Sequence, residues 1–567
     1  MKTQYTLQYR DVNVSYATGV HAVRGVSFAV REKECLALVG ESGCGKTTMA
    51  HAALGLLPQN TRLSGSIVID GIEAIGASQR EMRRLRGVVA GFVVQDPCAA
   101  CNPLAKVAAH VAEAWRAHRL TIPPEAIVQA VNNLGISDPE RMIRYYPHQW
   151  SGGMLQRATI AAAAAHHPQL IIADEPTSAL DADRADSTLD ALKQTGAALL
   201  LVSHDLELVA RHADRIATCY AGQIVEIGRS EEILKNPKHP YTRGLLRAIP
   251  GRQGTLPEVM PGYPPDLRTK IAGCAFVSRC ARKKEACLTV SPPMKNGVAC
   301  LQYSRPEERD SKTLSLKTGT YRVIASSISS GDPSPSTYLA EMRNVSKTYK
   351  QGRHLIQAVR SASLKVRPGE IVGISGPSGC GKSTLLRLLA TLDIPDSGEI
   401  YLDGRLTAKA GSRHLFSDLS RSAYLMPIFQ DPVSSLDARW PIWRTIIEPL
   451  TAPHRKTRLQ KRKYCHIARE LLKQVGLEML DLESRPAELS VGQCQRVAIA
   501  RVLAARPKIM IADEPTSALD ASVSASILHL LADFVGQGSA IVMVSHDRPM
   551  LNAICHRVRE MQAGVLL

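Results

Sequence analysis

The stretch from Gly40 to Thr47 reads GESGCGKT, the spacing G-x-x-x-x-G-K-[ST] of a loop that cradles phosphate. Glycines let successive N–H groups curl around phosphate oxygens, and a helix that follows adds its positive end. Lys46 reaches toward β- and γ-phosphates, and Thr47 offers a hydroxyl to Mg²⁺. One such match can be a chance glycine-rich turn. Here GPSGCGKS, from Gly376 to Ser383, repeats it with Lys382 and Ser383 in the same places. Two carboxylate pairs supply the matching metal chemistry. LIIADEP sets Asp174 and Glu175 behind four apolar residues, and the run returns with Asp513 and Glu514. An Asp ending a buried strand beside a phosphate loop holds Mg²⁺, mostly through water, while the Glu polarises the water that attacks the γ-phosphate.

Positioning these groups needs a particular order of elements. The apolar run from Cys35 to Val39 reads as a buried strand, and residues 47–57 read as the helix after the loop. Similar alternation along the chain predicts an α/β fold, a sheet flanked by helices, built twice. The duplication is visible in the landmarks: Gln95 recurs as Gln430, and IIADEPTSALD ending at Asp181 recurs as MIADEPTSALD ending at Asp520. WSGGMLQR (Trp150–Arg157) and LSVGQCQR (Leu489–Arg496) each precede an apparent helix. Ser and Gly there either cap the helix or offer a hydroxyl and free N–H groups to an anion. The expected units are 1–250, a cysteine-bearing extension 251–303, a Ser/Thr/Gly/Pro-rich linker 304–337, and 338–567, with no second extension.

The chain holds 567 residues, with 70 Lys+Arg against 52 Asp+Glu and a net charge of +18. That balance suits nucleic acid, anionic nucleotides or a membrane surface, and equally a solvated basic surface. No run of 18 apolar residues appears, and MKTQYTLQYRDV lacks a secretory segment. The expectation is a cytosolic protein whose 13 cysteines stay mostly reduced.

With both motif sets in view, the chain resembles the ATP-binding subunits of ABC transporters over nearly its whole length. The resemblance implies two P-loop domains in tandem, each with a RecA-like core, an antiparallel β subdomain and a helical subdomain. It implies that Tyr16 and Tyr349 stack on adenine. ATP contacts would come from Gly40, Ser42, Gly43, Gly45, Lys46, Thr47 and Thr48, and from Gly376, Ser378, Gly379, Gly381, Lys382, Ser383 and Thr384. Gln95 and Gln430 match the loop glutamine at Mg²⁺ and the attacking water. Mg²⁺ would be held through Thr47, Gln95 and Asp174, and through Ser383, Gln430 and Asp513. Glu175, Glu514, His204 and His546 would complete catalysis, with Ser178–Asp181 and Ser517–Asp520 crossing between halves. In this family two units face head to tail. One pocket would then join Lys46, Asp174, Glu175 and His204 to Ser490, Gly492 and Gln493. The other would join Lys382, Asp513, Glu514 and His546 to Ser151, Gly152 and Gly153. Val491 replaces the first glycine of the usual LSGGQ, and its branched side chain is expected to hinder close phosphate approach at the Lys46 pocket.

YAGQIVEIG (Tyr220–Gly228) and NPKHPYTRGLLRAIP (Asn236–Pro250) resemble the tail of the oligopeptide/dipeptide/nickel importer subfamily. Cys274, Cys280, Cys287 and Cys300, separated by five, six and twelve residues, resemble that subfamily's cysteine-bearing extension. Some members hold a [4Fe–4S] cluster there; zinc or unligated thiols are the alternatives. Arg279, Arg282, Lys283 and Lys284 are expected to offset thiolate charge. Cys98 and Cys101 form a lone CxxC read as chance or packing, and Cys44 and Cys380 receive no role. The resemblance implies an ATP-driven import motor on the cytoplasmic face of the inner membrane. Its partners would be two permease subunits and an extracytoplasmic solute-binding protein, carrying short peptides, nickel or a metal chelate. The competing reading is a soluble ABC ATPase acting on nucleic acid or ribosomes. Such proteins carry a charged helical linker, a zinc module or a coiled coil, none of which is evident, so no nucleic acid is expected.

Overall fold

The computed structural model describes residues 5–177, 182–250, 254–303, 338–351, 354–377, 379–413, 424–451, 461–517, 519–536 and 538–567. The expected linker 304–337, Ser378, Ala518 and the loop Ser178–Asp181 lie outside the described residues. Contacts divide the chain into two compact units. The first contains the described residues up to 246 together with 260–303, and the second contains those of 247–259 and 338–567.

In the first unit, β1 (Tyr5–Ser15) and β2 (His21–Arg31) form a hairpin that β4 (Arg62–Ile69) and β5 (Ile72–Glu73) extend, in the antiparallel order β2-β1-β4-β5. Between them in sequence lies β3 (Cys35–Val39), the centre of a second sheet with β6 (Ala90–Val93), β7 (Leu170–Asp174), β8 (Ala198–Val202), β9 (Arg215–Tyr220) and β10 (Gln223–Arg229). Its order is β10-β9-β3-β8-β7-β6, parallel from β9 to β6, with β10 antiparallel to β9. Every residue of β3, β7 and β8 is buried. That is why these strands read as continuous apolar runs: both faces of a parallel sheet are covered. A separate helical layer, with helices Val107–Arg116, Ala126–Asn132 and Gly152–Ala164, packs around Trp115, Val131, Trp150 and Leu155.

The second unit repeats the plan. β11 (Ala340–Gln351), β12 (His354–Val366), β14 (Ser397–Leu402), β15 (Arg405–Lys409) and β16 (Ser412–Arg413) make the antiparallel sheet. The other sheet has the order β17-β18-β19-β13-β20-β21, from β13 (Ile371–Ser375), β17 (Leu425–Ile428), β18 (Ile509–Asp513), β19 (Ala540–Val544), β20 (Arg557–Gln562) and β21 (Val565–Leu566). Helices Ile442–Thr451, Lys461–Gln474 and Val491–Ala505 form its helical layer.

The cysteine-bearing extension has little regular structure beyond the short helix Ala286–Thr289. It is tied to the edge of the first unit's main sheet, where Ala299 N–H donates to Val225 O (2.8 Å) and Ile227 N–H to Gly297 O (2.7 Å). Val225 and Ile227 lie on β10, so the extension covers an edge that would otherwise present unpaired backbone.

Candidate nucleotide sites

Four adjacent parallel strands deliver the chemistry of the first unit. β3 runs into the phosphate loop, β8 ends just before His204, β7 ends at Asp174, and β6 ends just before Gln95. Because these strands are neighbours and parallel, residues far apart in sequence gather at one carboxyl-terminal edge, the usual ligand position in such sheets. The second unit does the same with β13, β19, β18 and β17, carrying Lys382, His546, Asp513 and Gln430.

Each loop is closed on its own lysine. Lys46 starts the helix Lys46–Ala53 and is buried, its Nζ donating to Gly40 O (2.7 Å) and Glu41 O (3.0 Å). Lys382 repeats this with Gly376 O (2.7 Å) and Pro377 O (2.9 Å). The glycines are needed where backbones touch: a Cβ on Gly45 (φ +102°) would lie 2.3 Å from Ala22 O, and one on Gly381 (φ +108°) 2.0 Å from Ala358 O. Gly43 and Gly379, by contrast, face open space on the loop's outer side, and Ser42 beside Gly43 is exposed. That open side, rimmed by N–H groups at a helix start with an ammonium beneath, fits a phosphate group.

Thr47 Oγ1 donates to Asp174 Oδ1 (3.2 Å), and Ser383 makes the matching bond to Asp513. Burial pushes Asp174 up to about 6 against that hydrogen bond, and Asp513 is raised by the same cause. A hydroxyl beside a desolvated carboxylate suits a hard cation, whose charge offsets the burial cost. Glu175 accepts from Gln95 Nε2 (2.8 Å) and pairs with His204 Nδ1 (3.2 Å). Glu514 is held the same way by Gln430 Nε2 (3.5 Å) and His546 Nδ1 (3.0 Å). Burial works against charge on both glutamates, yet the histidine, the lysine and the glutamine outweigh it and hold each carboxyl below its ordinary range. Both histidines are raised, His204 despite burial and His546 chiefly by its hydrogen bond to Glu514. Glu175 and Glu514 each adopt φ of 48°, a left-handed backbone that only a fixed surrounding sustains.

Tyr16 OH is 2.9 Å from Thr48 Oγ1 on the loop helix. Tyr349 is exposed, hydrogen-bonded to Asp393 Oδ2 (2.7 Å) and to Thr384. Ser151 caps the helix Gly152–Ala164, accepting from Met154 N–H, with Gly152 and Gly153 in its first turn. Ser490 caps Val491–Ala505 through a capping box with Gln493, and Gly492 lies between them. Val491 stands exposed at the first position of that helix. Sequence reasoning missed one residue on each of these helices. Gln156 is buried and donates to Val94 O (3.2 Å), next to Gln95. Gln495 is buried and donates to Pro515 O (3.1 Å), next to Glu514. Their place five residues after the capping serine was the available signal.

The cysteines behave differently from expectation. Among the described residues no group of three or more His, Cys, Asp or Glu side chains is arranged to hold a metal ion. Cys274, Cys280, Cys287 and Cys300 do lie within reach of one another's charge, and Cys274 N–H donates to Cys287 O (2.9 Å). Burial pushes Cys274 up to about 11, so its thiol keeps its proton in this arrangement. Arg282 offsets charge at Cys280 as expected, but Arg279 is committed elsewhere, to Glu41 inside the phosphate loop. Cys44, given no role from sequence, sits 3.7 Å from Lys46 Nζ, and Cys219 Sγ donates to Cys44 O (2.9 Å).

Two phosphate loops, two strand-end carboxylate pairs and two serine-capped helices define a tandem ATP-binding cassette protein. A family profile described as ABC transporter matches residues 23–178 and 359–517, and one described as the C-terminal region of oligopeptide/dipeptide transporters matches 225–287. The oligopeptide transport ATP-binding protein OppD of Mycobacterium tuberculosis is 38% identical over 99% of this chain and 94% of its own length. The glutathione import ATP-binding protein GsiA of Escherichia coli O157:H7 is 33% identical over 99% of this chain and 85% of its own. The solved RNase-L inhibitor superposes with a TM-score of 0.56 over 98% of this chain and 90% of its own, at 19% identity, a likeness of fold alone. The chain belongs to the ABC transporter family, as a fused ATP-binding protein of the oligopeptide/dipeptide type, and is an ATPase whose hydrolysis is coupled to transport.

Proposed function

We propose that this chain drives uptake of short peptides, glutathione-like tripeptides among them, by hydrolysing ATP at its two phosphate loops. The observation that carries the hydrolytic part is the repeated Gln–Glu–His arrangement at Glu175 and Glu514. In each, the glutamate is kept ionised and aimed by two partners, as a group that polarises an attacking water must be. Lys46 and Lys382 would orient the phosphates, and Thr47 with Asp174, or Ser383 with Asp513, would hold Mg²⁺. Bound Mg²⁺ would supply positive charge to the β- and γ-oxygens. Ser490, Gly492 and Gln493, and likewise Ser151, Gly152 and Gly153, would offer a hydroxyl and helix-start N–H groups to a γ-phosphate. Tyr16 and Tyr349 would pack on adenine.

The peptide assignment is supported by the names of OppD and GsiA and by the match to the oligopeptide/dipeptide C-terminal region. Nickel, one cargo the tail suggested, has no support among these relatives. Among the described residues no helix is long and apolar enough to cross a membrane. The importer reading calls for separate permease subunits, a solute-binding protein and a place at the inner face of the membrane. An iron–sulfur centre at Cys274, Cys280, Cys287 and Cys300 rests on their soft donor set alone, since the described residues hold no group of three arranged for a metal ion. Iron analysis of anaerobically purified protein tests it, and a colourless, iron-free sample removes it.

With Val491 at the start of one serine-capped helix and Gly152 at the start of the other, the two glutamates should matter unequally. Glu514→Gln lowers ATP turnover about hundredfold or more, and Glu175→Gln lowers it less. Equal losses would remove the asymmetry, and unchanged turnover in both variants would remove hydrolysis at these sites.

A further inference from the structure

The first phosphate loop is gripped from outside its own motif. Glu41, the residue after Gly40, is buried and meets Arg279 of the cysteine-bearing extension, 238 residues later. The contact is a two-pronged fork: Arg279 Nη1 donates to Oε2 (2.7 Å) and Nη2 to Oε1 (2.9 Å). Both side chains are almost wholly buried, 3% and 4% exposed. Arg279 Nε also donates to Pro261 O (2.9 Å). The Glu41 N–H itself donates to Tyr241 OH (2.9 Å). Around them Tyr220, Tyr241 and Phe276 pack ring to ring at 4.5–5.5 Å, and the guanidinium lies 5.8 Å from the Tyr220 ring. Phe276 and Arg279 thus enter this box from a single turn of chain that Cys274 and Cys280 bracket.

Glu41 also supplies, through its carbonyl, one of the backbone acceptors that hold Lys46 Nζ. Side chain, N–H and carbonyl of one residue are therefore fixed by Arg279, Tyr241 and Lys46 in turn. A displaced Glu41 carries the carbonyl with it and changes where the ammonium stands. Fork geometry matters because a bidentate pair fixes orientation as well as distance.

We propose that Arg279 is a positioning residue for the first phosphate loop, through which the cysteine-bearing extension sets nucleotide affinity at Lys46. The inference rests on the reading of that loop as an ATP site. Any event that moves Cys274 or Cys280, whether ligation or oxidation, is then felt at Lys46 and not at Lys382, whose loop carries Pro377 where the first carries Glu41.

The test uses the full chain with Lys382→Ala to silence the second loop, and reads both dissociation constant and stoichiometry for Mg-ATP. Adding Arg279→Gln should raise Kd about tenfold or more with stoichiometry unchanged. Arg279→Lys, which keeps charge but loses the fork, should fall between. Without nucleotide, Arg279→Gln in the otherwise unaltered chain should speed hydrogen exchange over residues 40–47 and leave 376–383 unchanged. An unchanged Kd, or a loss of binding sites at unchanged Kd as partial unfolding gives, overturns the proposal. If the Lys382→Ala parent fails to bind Mg-ATP, the reading of the Lys46 loop as a nucleotide site falls, and this proposal with it.

Discussion

The two phosphate loops make the same internal bonds and are held by different means. In both, the lysine caps two carbonyls and close backbone approach demands glycine. Behind the first loop stand Glu41, Arg279 and a buried aromatic box; the second has Pro377, whose ring restrains its own backbone. Cys219 lies against Gly40 of the first loop, whereas Met561 lies against Gly376 of the second. Identical chemistry can thus rest on a remote ion pair or on a local covalent ring. Only the remote kind lets another part of the chain intervene.

The strongest way to break this comparison is to remove each support. Glu41→Ala leaves the Arg279 charge buried alone and should destabilise the first unit by about 3–5 kcal/mol. Pro377→Ala should cost the second unit about 1 kcal/mol or less. Calorimetry that finds equal shifts would erase the distinction. Acid offers a second route, through His239, whose ring lies 6.0 Å from Phe276. His239 is 1% exposed, and burial pulls it down from 6.5 to about 4. A folded-state pKa below the unfolded one means that unfolding takes up protons. Stability is therefore full above about pH 6.5 and falls by on the order of 3 kcal/mol as pH drops through 4. Limited proteolysis should show cleavage in the first unit rising over that range, with a shallower pH dependence in His239→Gln. The smallest effect is expected from Val491→Gly. Removing that branched side chain should raise turnover through Glu175 about threefold, measured in the Glu514→Gln background; no gain there would clear Val491 of blame.

Much of the scaffold was legible because parallel strands buried on both faces must read as apolar runs. Cys35–Val39, Leu170–Asp174 and Ala198–Val202 did so, and each is followed at once by its site residues. Motif repetition then located Gln95 with Gln430 and His204 with His546, which the structure brings to Glu175 and Glu514. Arg279 could not be read this way. In sequence it is one basic residue among four near the cysteines, and its partner lies 238 positions earlier in a variable slot of the loop motif. Gln156 and Gln495 escaped for a related reason: hydrogen bonds to backbone carbonyls leave no complementary residue type to notice.

The left-handed backbone at Glu175 and Glu514 has its own consequence. Glycine or asparagine would occupy that conformation with less strain, so the fold and the reaction prefer different residues at the same position. A library of variants sorted only by heat resistance should accordingly enrich inert proteins, because the substitutions that relax those two turns also abolish the work the protein does.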